Sequence, residues 1–286
     1  MLSQKREGSL LMRVAEMSSS KDRPVYVVGD VHGMYRHLVA LIDSILKDAA
    51  ATAATPRIVF LGDIIDRGDD SFRAMELVAA TIKAYPGSGL ILGNHEAMFL
   101  EVLGDAETAT RTKAWLCELG GEATMRSYLG RDADRRDDLG QISTRYPSHV
   151  ELLRNSLNMV LLDRDYCLVH AGIDPAKPLA AQDEITVQWI REPFLVHRQR
   201  FERKIVHGHT ITEKNLGPEV YPNRIALDSG AYRGGPLSAA VFAGDEAPRF
   251  ICAIGFGYGP IQIDHCRRDD LTIDYLDVFG AVSDRA

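Results

Sequence analysis

The chain is poor in cysteine, in basic charge and in long apolar runs. Its four cysteines, Cys117, Cys167, Cys252 and Cys266, form no C-x-x-C pair. That excludes a zinc ribbon and a thioredoxin-like redox motif. Four cysteines in 286 residues also make no disulfide framework; they read as reduced, buried small hydrophobes of a cytoplasmic protein. Lys and Arg number 33 against 40 Asp and Glu, a formal net charge of −7. Nucleic-acid binders draw much of their affinity from neutralising phosphates, so this balance argues against a nucleic-acid partner. No apolar run reaches the roughly 20 residues of a membrane span. Near the N-terminus Leu10, Leu11 and Met12 are followed at once by Arg13, too short a run for a signal-peptide core. Residues 1–22 are therefore expected to be a mobile leader, and no membrane partner is expected.

What is present is a hydrophobic fraction of 45%, enough for a sizeable core. Val25–Val28, Arg57–Leu61 and Gly89–Leu92 are short apolar runs that read as buried strands. Residues 34–48 and 71–85 carry helical spacing, the second stopped by Pro86-Gly87. Strand-helix alternation of this kind points to an α/β fold with a largely parallel sheet, whose ligands bind outside the carboxyl ends of the strands. Residues 97–158 read as a helical cap insertion containing a charged loop, Arg131–Asp138. Further strands are expected at 159–162, 166–170, 204–207, 225–228, 237–242 and 250–254, enough for a second sheet packed on the first. The catalytic unit is placed at 23–265, with 266–286 as a C-terminal tail packed on it.

Each of the first three strands ends in a glycine and a polar residue: Gly29-Asp30-Val31-His32-Gly33, Gly62-Asp63-Ile64-Ile65-Asp66-Arg67-Gly68 and Gly93-Asn94-His95-Glu96. Two later strands end in His170-Ala171-Gly172 and Gly208-His209-Thr210. A carboxylate and an imidazole two residues apart can chelate one ion, and this N/O chemistry suits Mn, Fe or Zn rather than Ca. A single such motif reads equally well as an Asx turn beside a surface histidine. Five in one chain are hard to produce by chance. Together Asp30, His32, Asp63, Asn94, His170 and His209 make six ligands, enough for the paired ions used in displacement at phosphorus.

These segments, in this order, resemble the calcineurin-like metallophosphoesterases, and among them the phosphoprotein phosphatases of bacterial type. The matching motifs span residues 29–209, about two-thirds of the chain. The resemblance implies a four-layer αββα sandwich of two mixed sheets flanked by helices. It implies two divalent transition-metal ions, Mn foremost and Fe or Zn as alternatives. One ion would take Asp30, His32 and a bridging Asp63; the other Asp63, Asn94, His170 and His209. A bridging water would attack phosphorus, Arg67 would grip phosphate oxygens, His95 would protonate the leaving oxygen, and Asp66 would orient His95. Arg191 resembles a second phosphate-binding arginine, and reads equally as a surface partner of Glu192. Tyr232 resembles a tyrosine near the site in some relatives, and His207 is an additional imidazole on the strand that leads to His209. The implied substrate is a phosphorylated protein or peptide. A dinucleoside polyphosphate or a small phosphomonoester is the alternative, and a silent metal-binding regulator a more remote one. Related tetraphosphatases resemble G-D-L-V-A-R-G and G-N-H-D; Asp66 and Glu96 stand at the two differing positions here and favour the phosphoprotein branch.

Overall fold

The computed structural model describes residues 12–104, 109–130, 136–213, 217–255 and 259–266. Chain order begins with strand β1 (Val14–Met17), β2 (Val25–Val28), helix α1 (Tyr35–Ala51), β3 (Arg57–Phe60), α2 (Ser71–Ala84) and β4 (Gly89–Leu90). Five helices follow: α3 (Asn94–Gly104), α4 (Ala109–Glu118), α5 (Gly121–Leu129), α6 (Arg136–Arg145) and α7 (Pro147–Arg154). Then come β5 (Met159–Leu162), β6 (Tyr166–Val169), α8 (Glu184–Trp189), β7 (Lys204–His207), β8 (Glu219–Val220), β9 (Arg224–Ala226), β10 (Leu237–Phe242), β11 (Arg249–Ile254) and β12 (Gln262–Cys266).

The strands form two six-stranded mixed sheets, β12-β11-β10-β2-β3-β4 and β1-β5-β6-β7-β9-β8. Period-two alternation sorts the side chains of β2 between two cores. Val25 and Val27 join Val59, Val160, Leu168, Val206 and Ile225 in an apolar layer between the sheets. Tyr26 and Val28 face the other way, onto Leu38, Leu41 and Ile45 of α1 and Met75 and Val78 of α2. Both faces of β2 and β3 are covered, so all eight residues of these strands are buried. The outer face of the second sheet packs Cys167, Val169 and Ile205 against Val187 of α8 and Phe194. The layers are therefore helices, sheet, sheet and a thin layer built on one short helix, as the family resemblance implies.

The expected largely parallel sheet is realised only in part. Among the described strands, parallel pairing joins a triplet in each sheet, β2-β3-β4 and β6-β7-β9, and the β1-β5 pair, with one isolated parallel bridge between Ile91 and Leu157. The mobile leader is corrected as well. Val14–Met17 pair in parallel register with Met159–Leu162, and the Arg13 amide donates to Asn158 Oδ1 at 2.8 Å. β1 is only four residues long, half-buried at best and at the edge of its sheet, too little for sequence periodicity to register. Residues 1–11 lie outside the described residues, as do 267–286 of the expected tail. Cys266, its first residue, closes β12 instead. Of the charged loop, 131–135 lie outside the described residues, and 136–138 open α6. Cys167 and Cys252 are buried as expected, but Cys117 is exposed. Among the described residues no helix is long and apolar enough to cross a membrane.

Candidate active site

The two parallel triplets define the site. β2, β3 and β4 are followed by Asp30, Asp63 and Asn94; β6 and β7 are followed by His170 and His209. The sixth strand, β9, leads to Asp228, the last residue of the strand expected at 225–228. It is buried and lines the same cleft. Asn94 sits differently from expectation: β4 is only two residues long, and Asn94 is the first residue of α3 rather than part of a loop.

The backbone at these turns is held in unusual conformations. Among the described residues seven non-glycines have positive φ, and His32, Asp63, Asp66, Arg67 and His209 are five of them. Such conformations cost of order 1–3 kcal/mol each and persist only where surrounding contacts enforce them. Glu96 supplies much of that enforcement. Its carboxylate accepts from the amides of Asp63 (2.8 Å), Ile64 (2.7 Å) and Ile65 (3.1 Å), fixing the loop that carries Asp63. Burial, with Asp63 nearby, pushes the Glu96 carboxyl up to about 7. Two glycines are required by close approach. A Cβ on Gly208 would fall 1.9 Å from Asp30 Oδ1, and one on Gly93 2.2 Å from Asp63 Oδ1.

Two clusters of candidate ligands share Asp63: His32, Asp63 and His95, and Asp63, His170 and His209. In the first, His32 Nδ1 donates to the Ile65 carbonyl (3.0 Å), which leaves Nε2 as a lone pair 3.6 Å from Asp63 Oδ2. In the second, His170 Nδ1 donates to the Leu61 carbonyl (2.8 Å), and Nε2 lies 3.4 Å from Asp63 Oδ1. Asn94 Oδ1 stands 2.9 Å from both His170 Nε2 and His209 Nδ1. Ring nitrogens fixed by carbonyls on one side and bare on the other are how proteins present imidazole to a metal. Asp30 belongs to neither cluster and lies beside Asp63 and His209. Its Oδ2 accepts from the His209 amide (2.9 Å), while Oδ1 is buried with no hydrogen-bond partner among the described residues.

The charges point the same way. Burial lowers the pKa of His170, and that of His32 and His209 to about 3, so all three rings are neutral. Burial raises Asp63, but the surrounding histidines outweigh it and hold its carboxyl well below the usual range. Asp30 is raised by burial and by the Asp228 and Asp63 carboxylates beside it. Neutral imidazoles, a shared carboxylate and an orphaned carboxylate oxygen fit divalent cations; buried carboxylates in this number are otherwise costly.

Within the first cluster His95 also turns outward, its Nδ1 2.7 Å from Asp66 Oδ2. Arg67 donates to the Tyr232 hydroxyl (2.8 Å), and its Nη2 lies 3.3 Å from His95 Nε2. Arg67, Arg191, Tyr232 and Arg233 line one cleft of about 830 Å³ with His32, Asp63, Asn94, His95 and His209. Arg191 is thus brought to the cleft on an exposed segment, and Arg233 joins it unforeseen. His207 is not. Alternation in an extended strand would put His207 and His209 on one face, but positive φ at His209 turns the chain away. The His207 ring packs on Phe194 at 5.1 Å and lines a separate cavity of about 250 Å³ with Glu219 and Arg224.

Fold and site together define a metallophosphoesterase, a hydrolase of phosphoesters built around divalent metal. The chain belongs to the calcineurin-like phosphoesterase family, matched over residues 23–245. It is 26% identical over 235 residues to serine/threonine-protein phosphatase 2 of Salmonella typhimurium, covering 80% of this chain and 97% of that protein. It is 32% identical over 152 residues to the symmetrical bis(5'-nucleosyl)-tetraphosphatase of Methylococcus capsulatus, covering 53% of this chain and 44% of the relative. Among solved structures, a cold-active protein-tyrosine phosphatase of a psychrophilic Shewanella superposes with a TM-score of 0.52 at 18% identity. That match covers 93% of this chain and 87% of the other, a likeness of fold.

Proposed function

We propose that this chain is a phosphoprotein phosphatase with a binuclear metal centre, Mn foremost and Fe or Zn as alternatives, acting in the cytoplasm. The arrangement of Asp66, His95 and Arg67 beside two ligand clusters that share Asp63 carries the reading. One ion would be held by Asp30, His32 and Asp63, the other by Asp63, Asn94, His170 and His209. When bound, the pair supplies Lewis acidity and an acidified water for attack at phosphorus.

The protein's own residues do the rest. The Arg67 fork, anchored by Tyr232, receives two non-bridging phosphate oxygens, a geometry a lysine would not match. Arg191 receives the remaining charge from across the cleft. His95 uses Nδ1 to face Asp66 and so keeps Nε2 toward the cleft. As the bond from phosphorus to the leaving oxygen breaks, the Nε2 proton passes to that oxygen. Asp66 stabilises the imidazolium and fixes its orientation.

The substrate is assigned to phosphorylated protein or peptide by Asp66 and Glu96, supported by the extent of the match to the Salmonella phosphatase. The second reading, a dinucleoside tetraphosphatase, draws on the Methylococcus relative. A panel of phosphoserine, phosphothreonine and phosphotyrosine peptides is to be run against diadenosine tetraphosphate with Mn-reconstituted enzyme. Higher kcat/KM on the peptides is expected, and preference for the dinucleotide would overturn the assignment.

A further inference from the structure

The helical insertion reaches into the acid side of the site at two places. Trp115 on α4 donates its indole N–H to Asp66 Oδ2 at 2.9 Å, the same oxygen that faces His95. Thr124 on α5 donates its hydroxyl to Asp66 Oδ1 at 2.6 Å and accepts from the Asp66 amide at 2.8 Å. Both side chains are fully buried, and so is Asp66. These partners lie 49 and 58 residues along the chain from it.

The consequence for Asp66 is specific. A carboxylate can swing about its last torsion, because that two-fold rotor is broad. Here both oxygens are taken: one by Thr124, the other divided between Trp115 and the imidazole. The plane of the carboxylate, and with it the direction of the bond to His95, is set from the insertion. The positive φ of Asp66 is held in place by the same threonine. The connection from α4 to α5 adds a third contact, the Gly120 carbonyl accepting from the Arg67 amide at 3.2 Å.

We infer that Trp115 and Thr124 are positioning residues for the acid step: they aim His95 at the leaving oxygen through Asp66, touching neither substrate nor metal. The inference rests on the reading of His95 as the proton donor. A merely structural role would lower turnover of every substrate alike. A positioning role has a different signature, because a good leaving group departs with little help from an acid and a poor one does not.

The experiment compares p-nitrophenyl phosphate, a good leaving group, with a phosphoserine peptide, a poor one, on the metal-reconstituted full chain. Trp115→Phe and Thr124→Val each remove one hydrogen bond to a charged group while keeping shape. Loss of such a bond corresponds to roughly a tenfold change, expected in kcat on the peptide. On p-nitrophenyl phosphate the change is expected below about twofold, with KM and metal content unaltered. Thr124→Ser, which restores the hydroxyl, should recover the peptide rate. His95→Asn is the control: if it shows no leaving-group bias, the proton-donor reading fails. If it shows the bias and both Trp115→Phe and Thr124→Val lower the two rates equally, the positioning inference fails alone. Should Trp115→Phe not fold, the contrast between Thr124→Val and Thr124→Ser decides.

Discussion

The two halves of the site are fastened by different means. Around Asp66 and His95 the fastening is by side chains, from Trp115, Thr124 and Ser71, several of them supplied by helices inserted far along the chain. Around His170 and His209 it leans on backbone groups: the Leu61 carbonyl orients the His170 ring, and the His209 amide donates to the Asp30 carboxylate. Backbone fastening suits a half that only has to hold ions. Side-chain fastening suits a half that must hand over a proton along a defined direction, since its geometry is adjustable by substitution. Asp63 is the one candidate ligand shared by both clusters, and it is there that the comparison can be broken most completely.

Asp63→Asn should have the largest effect. Removing the shared carboxylate charge should cut bound metal from about two ions per chain and abolish turnover, because a two-ion site depends on its bridge. Metal content by mass spectrometry of the purified variant, beside activity on p-nitrophenyl phosphate, tests this. A variant that keeps both ions would show that Asp63 does not join the halves. His95→Asn should come next. A fall in kcat of roughly 10²–10⁴-fold on a poor leaving group is expected, as removing a general acid brings. Its metal content should stay near that of the parent. Loss of an ion would make His95 a ligand, consistent with its place beside His32 and Asp63, and the proposed division between holding and proton transfer would fall.

The proton half can be sharpened by pH. Burial alone would lower the pKa of His95, but the Asp63 and Asp66 carboxylates outweigh it and raise it above the usual imidazole value. A general acid works in its protonated form, so the rate declines as pH rises through that pKa. Asp66→Asn removes one of the two negative charges, lowers the pKa and brings the decline to lower pH. Profiles of kcat/KM on a phosphopeptide should show the alkaline limb displaced downward. A limb that stays in place would mean that some other group titrates there.

The comparison also explains what was legible in the sequence. The first triplet announces itself because β2 and β3 are buried on both faces, and all three strands break into glycine-acid or glycine-amide turns within about thirty residues of one another. The strands after residue 158 were legible too, since β5, β7 and β10 match their apolar runs. Asp228 was hidden although it completes the second triplet: Leu227 precedes it, where the other acids follow a glycine. A search for an acid after every buried strand would have found it. The roles of Trp115 and Thr124 were out of reach, because helical periodicity marks Trp115 as a core position, gives the polar Thr124 no role, and says nothing of the indole N–H or the hydroxyl. Edge strands β1, β8 and β12 were missed because they are short or bury one face only.

The smallest effect is expected at His207, and it separates the metal-holding half from its neighbours. Burial, with Arg224 close by, lowers its pKa to about 3, so the ring is neutral. Its Nδ1 donates to the Gly208 carbonyl at 2.9 Å, and Nε2 has no hydrogen-bond partner among the described residues. A bare imidazole nitrogen two residues from a proposed ligand is what a competing ligand would offer. The ring, however, packs on Phe194 and looks into the smaller cavity. His207→Gln keeps a polar group of similar reach at the end of β7. It should leave both ions bound and change kcat by less than about threefold, with a loss of stability of order 1 kcal/mol, the usual cost of a single substitution. Metal titration of this variant is the discriminating measurement. Weaker binding of one ion would move His207 into the coordination set and displace His209 from it; unchanged binding would leave His209 as the last ligand of the backbone-fastened half.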